Sequence, residues 1–136
     1  MTGMKANGLK VLDREECIDL LETTPIGRVG FISDDGPLVL PVNYHWHDGG
    51  IVFRTHAGQK LEAAVKQEKV CFEVDRWNSS PRSGASVVVM GVAREVTDWA
   101  EKEQLENIGL IPWSRDGWRR LWVRIEPTEI TGRELA

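Results

Sequence analysis

Residues 26–55 read "IGRVGFISDDGPLVLPVNYHWHDGGIVFRT", and this stretch decides the fold. β-Branched and aromatic residues fill Ile26 to Ser33, and "DDG" then signals a tight turn. The run from Pro37 to His47 is extended, and "DGG" returns the chain into Ile51–Thr55. Three such runs joined by short turns read as consecutive antiparallel strands. Downstream, "KVCFEVD" (69–75) alternates, with Val70, Phe72 and Val74 on one face and Cys71, Glu73 and Asp75 on the other. "ASVVVMGVAREV" (85–96) is a long apolar strand whose Gly91 marks a bulge or a close backbone approach. "WRRLWVRIEP" (118–127) is the last strand, with Leu121, Val123 and Ile125 inward. Between them "RWNSSPRSG" (76–84) is polar and breaker-rich, and reads as a loop.

Helical signals interrupt the strands. In "LDREECIDLLETT" (12–24) Asp13 is an N-cap with Glu16 three residues on, Cys17, Leu20 and Leu21 share a face, and Pro25 blocks continuation. "QKLEAAVKQ" (59–67) is rich in helix formers. "WAEKEQLENIG" (99–109) is capped by Thr97 or Asp98 and closed by Gly109. The fold class is therefore mostly β with short flanking helices: a six-stranded antiparallel sheet closed into a barrel. A chain of 136 residues suits one domain, 1–136, with residues 1–10 as a loose tail.

The net charge of −4 argues against a nucleic-acid or anionic-membrane binder, so any anion must be held by a local cluster of cations and amides. Cys17 and Cys71 have no paired spacing and read as small buried or half-buried thiols in a reducing compartment. The N-terminus lacks a signal-peptide pattern and no run is long enough to span a bilayer, so the expected setting is soluble and cytoplasmic.

The functional signal lies in "FRTHAGQKL" (53–61), where a strand hands over to a helix. Phe53 points to the core, Arg54 to the other face, and Gly58 allows a sharp turn into a helix whose first amides favour an anion. Lys60 in the first turn opposes the helix dipole, and a bound phosphate would offset that. The alternative is an Arg54 paired with Glu73 or Asp75 and a solvated Lys60. The single Gly58 excludes a Walker loop.

Other constellations are weaker. His45 and His47 share a strand face with His56 on the next segment, but no Cys or carboxylate has ligand spacing, so no metal is expected. Glu73 and Asp75 form a carboxylate pair whose ordinary reading is a salt bridge to Arg54 or Arg94. No Ser-His-Asp set can be assembled, and no catalytic residue is named.

The ordered set "GRVGFIS…PLVLPVNYHW…IVFRTHAGQKL…VCFEVD…SGASVVVMGVAREV…ITGR" resembles the FMN-binding split-barrel family related to pyridoxamine 5′-phosphate oxidase, from about Ile26 to Arg133. The resemblance implies a six-stranded antiparallel split β-barrel, homodimeric, with flavin in grooves between subunits. Carried over, Arg54, Thr55 and Lys60 would contact the FMN phosphate, with Leu61 following and His56 at the flavin, the phosphate or the entrance. Pro41, Val42 and Asn43 would run along the ring, and Ser86, Val87 and Val88 would lie beneath the ribityl chain or ring. Trp113 and Trp118 of the partner would cover the flavin, or serve core and interface. Gln59 stands where pyridoxamine phosphate oxidases carry a further basic residue, and "ITGRELA" lacks their arginine-containing substrate segment. The resemblance therefore implies a flavin-dependent oxidoreductase for a small flat substrate rather than vitamin B6 oxidation. Its alternatives are a protein holding a deazaflavin cofactor or haem, and a non-catalytic flavin-binding dimer.

Overall fold

A computed structural model describes residues 3–4, 10–56, 66–80, 82–109 and 120–135. Along the chain run β1 (Gly3–Met4), β2 (Lys10–Leu12), α1 (Arg14–Thr23), β3 (Ile26–Ser33), β4 (Gly36–His47) and β5 (Gly50–His56). They are followed by β6 (Lys66–Ser79), β7 (Arg82–Glu95), α2 (Trp99–Glu106) and β8 (Arg120–Leu135). All pairings are antiparallel. The sheet order is β1-β2-β8-β5-β4-β3-β6-β7, and β7 also pairs with β8. That last ladder closes β3 to β8 into a ring, which is the expected barrel. The two further strands, β1 and β2, extend from β8 and include part of the segment read as a loose tail.

The "DDG" and "DGG" turns fall where the residues demand. Gly36 (φ 114), Asp48 (φ 50) and Gly49 (φ 76) adopt the left-handed backbone that tight hairpins require. Buried Arg124 on β8 braces the second turn. It donates to the carbonyls of His47 (3.0 Å) and Asp48 (2.7 Å), and its Nε donates to Glu126 (2.6 Å). Replacing it with leucine leaves both carbonyls without that donor. Arg124→Leu is expected to cost about 2–3 kcal/mol, read as a lower urea midpoint at unchanged slope.

Alternating residues fill the barrel. Val29, Phe31, Tyr44, Ile51, Phe53, Val70, Phe72, Val74, Val87, Val89, Val123 and Ile125 form its core. Phe72 meets Tyr44 edge-on at 4.7 Å between centroids. α1 starts at the Asp13–Glu16 capping box and sends Cys17, Leu20 and Leu21 into this core. The Tyr44 hydroxyl ties the helix down by donating to the Leu21 carbonyl at 2.6 Å. Gly91 sits at a bulge opposite Glu126–Glu129. A Cβ there would lie 2.5 Å from the Glu126 carbonyl oxygen, so close approach is the reason for glycine.

Three readings of the sequence change. Most of the segment read as a loop is strand: β6 and β7 stay paired to Ser79↔Arg82, because cross-strand hydrogen bonds hold polar residues in a ladder whose tip faces water. β8 does not stop at Pro127. Pro127 pairs with Gly91 and the bulge next to it absorbs Thr128, whose hydroxyl donates to the Met90 carbonyl (3.0 Å), and the strand runs on to Leu135. Of the helix placed at 59–67, Lys66 and Gln67 are strand, and the rest lies outside the described residues.

No helix among the described residues is long and apolar enough to cross a membrane.

Candidate functional site

β4, β3, β6 and β7 present one outer face, and their registers show what lies on it. Pro41 pairs with Arg28, Arg28 with Glu73, and Glu73 with Val88, so these four residues form one cross-strand row. The next row is Val39, Gly30, Cys71 and Met90. Alternation adds Asn43 at one side, Ser86 at the other, and Arg54 on β5. Of the proposed flavin residues, Pro41, Asn43, Arg54, Ser86 and Val88 therefore share a face. Val42, Thr55 and Val87 point into the barrel, with Thr55 and Val87 buried. Only their backbones would be open to a ligand on the outer side.

Pro41 and Val88 are three strand spacings apart, about 14 Å along the curved surface. Within one chain the barrel does not bring Ser86–Val88 against Arg54. Both β5 and β7 flank β8, but Arg54 pairs with Trp122 and Val88 with Thr131, nine residues further along that strand. Lys60, Leu61, Trp113 and Trp118 lie outside the described residues, as does the His56 side chain.

Arg54 is held from two directions. Its Cζ lies 4.8 Å from the centroid of the Trp122 ring, its direct cross-strand partner, and its Nη2 lies 3.3 Å from Glu106 Oε1. Its partner is thus Glu106 at the end of α2, not Glu73 or Asp75. Arg54 Nε is buried and has no hydrogen-bond acceptor among the described residues. That atom fits the phosphate group of a cofactor: a buried guanidinium donor without an acceptor favours an anion.

Sequence reasoning missed Glu106 and Trp122. A signal for Glu106 existed, because a carboxylate in the last turn of a helix opposes the dipole and calls for a cation. Trp122 followed the outward alternation, and its burial depends on α2, which packs Leu105 over Val52, Val96 and Trp122.

The acids of β6 belong to Arg28, a residue the sequence reading passed over. Arg28 Nη1 lies 3.1 Å from both Glu73 Oε1 and Asp75 Oδ2. Burial first, and then the Asp75 carboxyl, raise the Glu73 pKa above the ordinary carboxylate value, while Arg28 opposes both. The folded state thus holds the Glu73 proton more tightly than the unfolded chain does. The stability this proton contributes falls as pH rises from the unfolded pKa through the raised one. Glu73→Gln is neutral at every pH, so its unfolding temperature should vary less than the parent's across that mildly acid window. Thermal unfolding at a series of pH values checks this.

Arg94, the other expected partner of these acids, instead binds Glu101 through two nitrogens (2.9 and 3.3 Å) and Glu126 at 3.2 Å, which locks α2 to the barrel.

Ile32, Val39, Trp77 and Met90 remain exposed on this outer face, at 72%, 65%, 58% and 46%, beside Val88. Ile32, Val39 and Met90 adjoin one another around Gly30 and Cys71, and an apolar patch of this kind on a sheet marks a contact surface, whereas Trp77 stands apart at the hairpin tip beyond Glu73 and Asp75. Beside Asn43, a groove of about 650 Å³ runs past Thr24, Tyr44, His45, Trp46 and Ile108. His45 is exposed there, and the His47 carbonyl is engaged by Arg124.

Comparison with known proteins agrees with this architecture. The family described as pyridoxamine 5′-phosphate oxidase matches residues 13–134. An uncharacterised protein of Mycobacterium tuberculosis is 35% identical over 126 residues, covering 89% of this chain and 82% of its own. The solved FAD binding protein from Mycobacterium smegmatis superposes with a TM-score of 0.80 at 36% identity, covering 93% of this chain and 99% of that one. A FAD and haem binding protein from the same organism shares the fold, with a TM-score of 0.71 at 17% identity over 89% of this chain and 70% of that one. From its capped first helix to the end of its last strand, the chain belongs to the pyridoxamine 5′-phosphate oxidase family.

Proposed function

We propose that this protein binds a flavin through the phosphate next to the ribityl chain, and that it does so as a homodimer serving oxidoreduction of a small flat substrate. The observation that carries the reading is Arg54 Nε, a buried cationic donor without an acceptor among the described residues, at the strand end where the anion cradle is expected. The FAD binding of a relative 36% identical over nearly its whole length supports a flavin. FMN and FAD share the flavin, ribityl and first phosphate, so the same contacts serve either.

Arg54 would hold the phosphate, joined by the Thr55 backbone and by Lys60, with His56 and Leu61 next to it. Pro41–Asn43 would line the ring. The exposed apolar strip around Val39 and Met90 would be covered by the second copy. That copy would bring its own Ser86–Val88 and Trp113 or Trp118 toward the cofactor. When bound, the flavin would supply hydride or single-electron transfer. The chain's residues orient it, exclude water and leave the groove beside Asn43 for substrate. Cytoplasmic residence is part of the same reading, with Cys17 and Cys71 as free thiols.

The test is a visible absorption and fluorescence titration with FMN, FAD and riboflavin, with the deazaflavin cofactor and haem run in parallel. Saturable binding of FMN or FAD at one site per chain, much tighter than riboflavin, is expected. Binding that ignores the phosphate would overturn the reading.

A further inference from the structure

Glu106 Oε1 accepts a hydrogen bond from Trp122 Nε1 at 2.8 Å and forms an ion pair with Arg54, whose Nη2 lies 3.3 Å away. One carboxylate oxygen therefore couples the cation to the indole whose face supports it. The three residues come from α2, β8 and β5, and Arg54 and Trp122 are direct partners across the β5–β8 ladder. We propose that Glu106 and Trp122 are positioning residues that hold the Arg54 guanidinium ready for a phosphate. The proposal rests on the flavin phosphate reading above and names the residues that pre-organise its site.

Folding alone does not account for this arrangement. α2 is docked without it, by buried Leu105 and by the Arg94–Glu101 pair, and its start is capped by Asp98, which accepts from the Glu101 amide at 3.0 Å. Glu106 stands at the C-terminal end of a helix with no basic residue in its last turn, where a negative charge opposes the dipole. What it gains there is the bridge to Arg54 and Trp122. The bridge engages Nη2 and the ring face, and leaves Nε buried without an acceptor among the described residues. An arginine set this way has already lost its side-chain freedom when the ligand arrives, so binding an anion orders less.

The Glu106 charge acts against an anion while its geometry acts for it, and two substitutions separate these effects. Glu106→Ala removes the bridge. Glu106→Gln keeps an acceptor oxygen for both donors and removes only the charge. FMN affinity should fall roughly tenfold in Glu106→Ala, the scale of one pre-organised charge-assisted bond, while riboflavin affinity stays unchanged. Glu106→Gln should restore FMN affinity to the parent's or tighten it. Trp122→Phe keeps a ring under the guanidinium but loses the indole donor, and should weaken FMN several-fold, again sparing riboflavin.

Adding Glu106→Ala to Arg54→Ala should cause no further loss. An equal Glu106→Ala effect with and without Arg54, an equal loss for riboflavin, or unchanged FMN affinity in Glu106→Ala would each overturn the proposal. Failure of the underlying reading looks different: Arg54→Ala itself would then leave FMN binding unchanged.

Discussion

Arg54→Ala is expected to weaken FMN binding by roughly 10- to 100-fold and to leave riboflavin binding unchanged. The size follows from the loss of a charge-assisted hydrogen bond from a cation whose position is already set, worth about 1.5–3 kcal/mol. A second effect adds to it. Removing Arg54 leaves Glu106 without its cation on the same side of the barrel, and a carboxylate there repels an incoming phosphate. The fold should tolerate the change. The Arg54–Glu106 pair is partly solvated, with Glu106 53% exposed, and such pairs contribute little to stability. The measurement is a flavin fluorescence titration with FMN and riboflavin side by side, with urea unfolding of the variant as control. Equal loss for both ligands would point to a damaged ring site, and unchanged FMN affinity would remove Arg54 from the cradle.

Phe72→Ala is expected to be the most destabilising single change, at about 3–5 kcal/mol. Phe72 is fully buried at the centre of β6. Its ring meets Tyr44 edge-on and fills the space above Gly27, where even a Cβ would overlap it. Truncation removes the aromatic contact and opens a cavity bounded by stiff β-branched neighbours such as Val29 and Val74 that cannot collapse into it. Against a total of about 5–15 kcal/mol for a domain of this kind, a large part of the stability would go. Urea unfolding should show a sharply lower midpoint at unchanged slope, and Phe72→Leu should recover most of it.

How much of this was legible beforehand depends on whether a feature was local. The Asp13–Glu16 capping box, the inward Val70, Phe72 and Val74, and the tight backbone at Gly91 all followed from a few consecutive residues. The hairpin tip at 76–84 did not, because its polar composition matches a loop. Only the pairing of Arg76 with Ala85 and of Ser79 with Arg82 makes it strand. The continuation of β8 past Pro127 was hidden for a similar reason. A proline is tolerated at a bulge, and the bulge exists only relative to β7.

The site divides in the same way. Arg54 could be picked out because a cation, a hydroxyl and a glycine cluster at a strand end. Its partner could not, since Glu73, Asp75 and Glu106 are equally good carboxylates on paper. Arg28 claims the first two because β3 lies beside β6, and Glu106 comes to Arg54 because α2 crosses β5 and β8.

By itself, then, the sequence determined the central runs of the barrel strands, the DDG and DGG turns, the inward and outward alternation along those runs and the order of motifs that identifies the family. These depend on local period and on backbone preferences, which neighbouring residues settle among themselves. The tertiary structure decided which faces are covered and which charges meet. Trp122 and Val87 both lie on alternating strands, yet Trp122 is buried under a helix on the outside and Val87 within the barrel. An alternating strand offers two faces, and only packing against distant segments assigns each of them to core, helix or open surface.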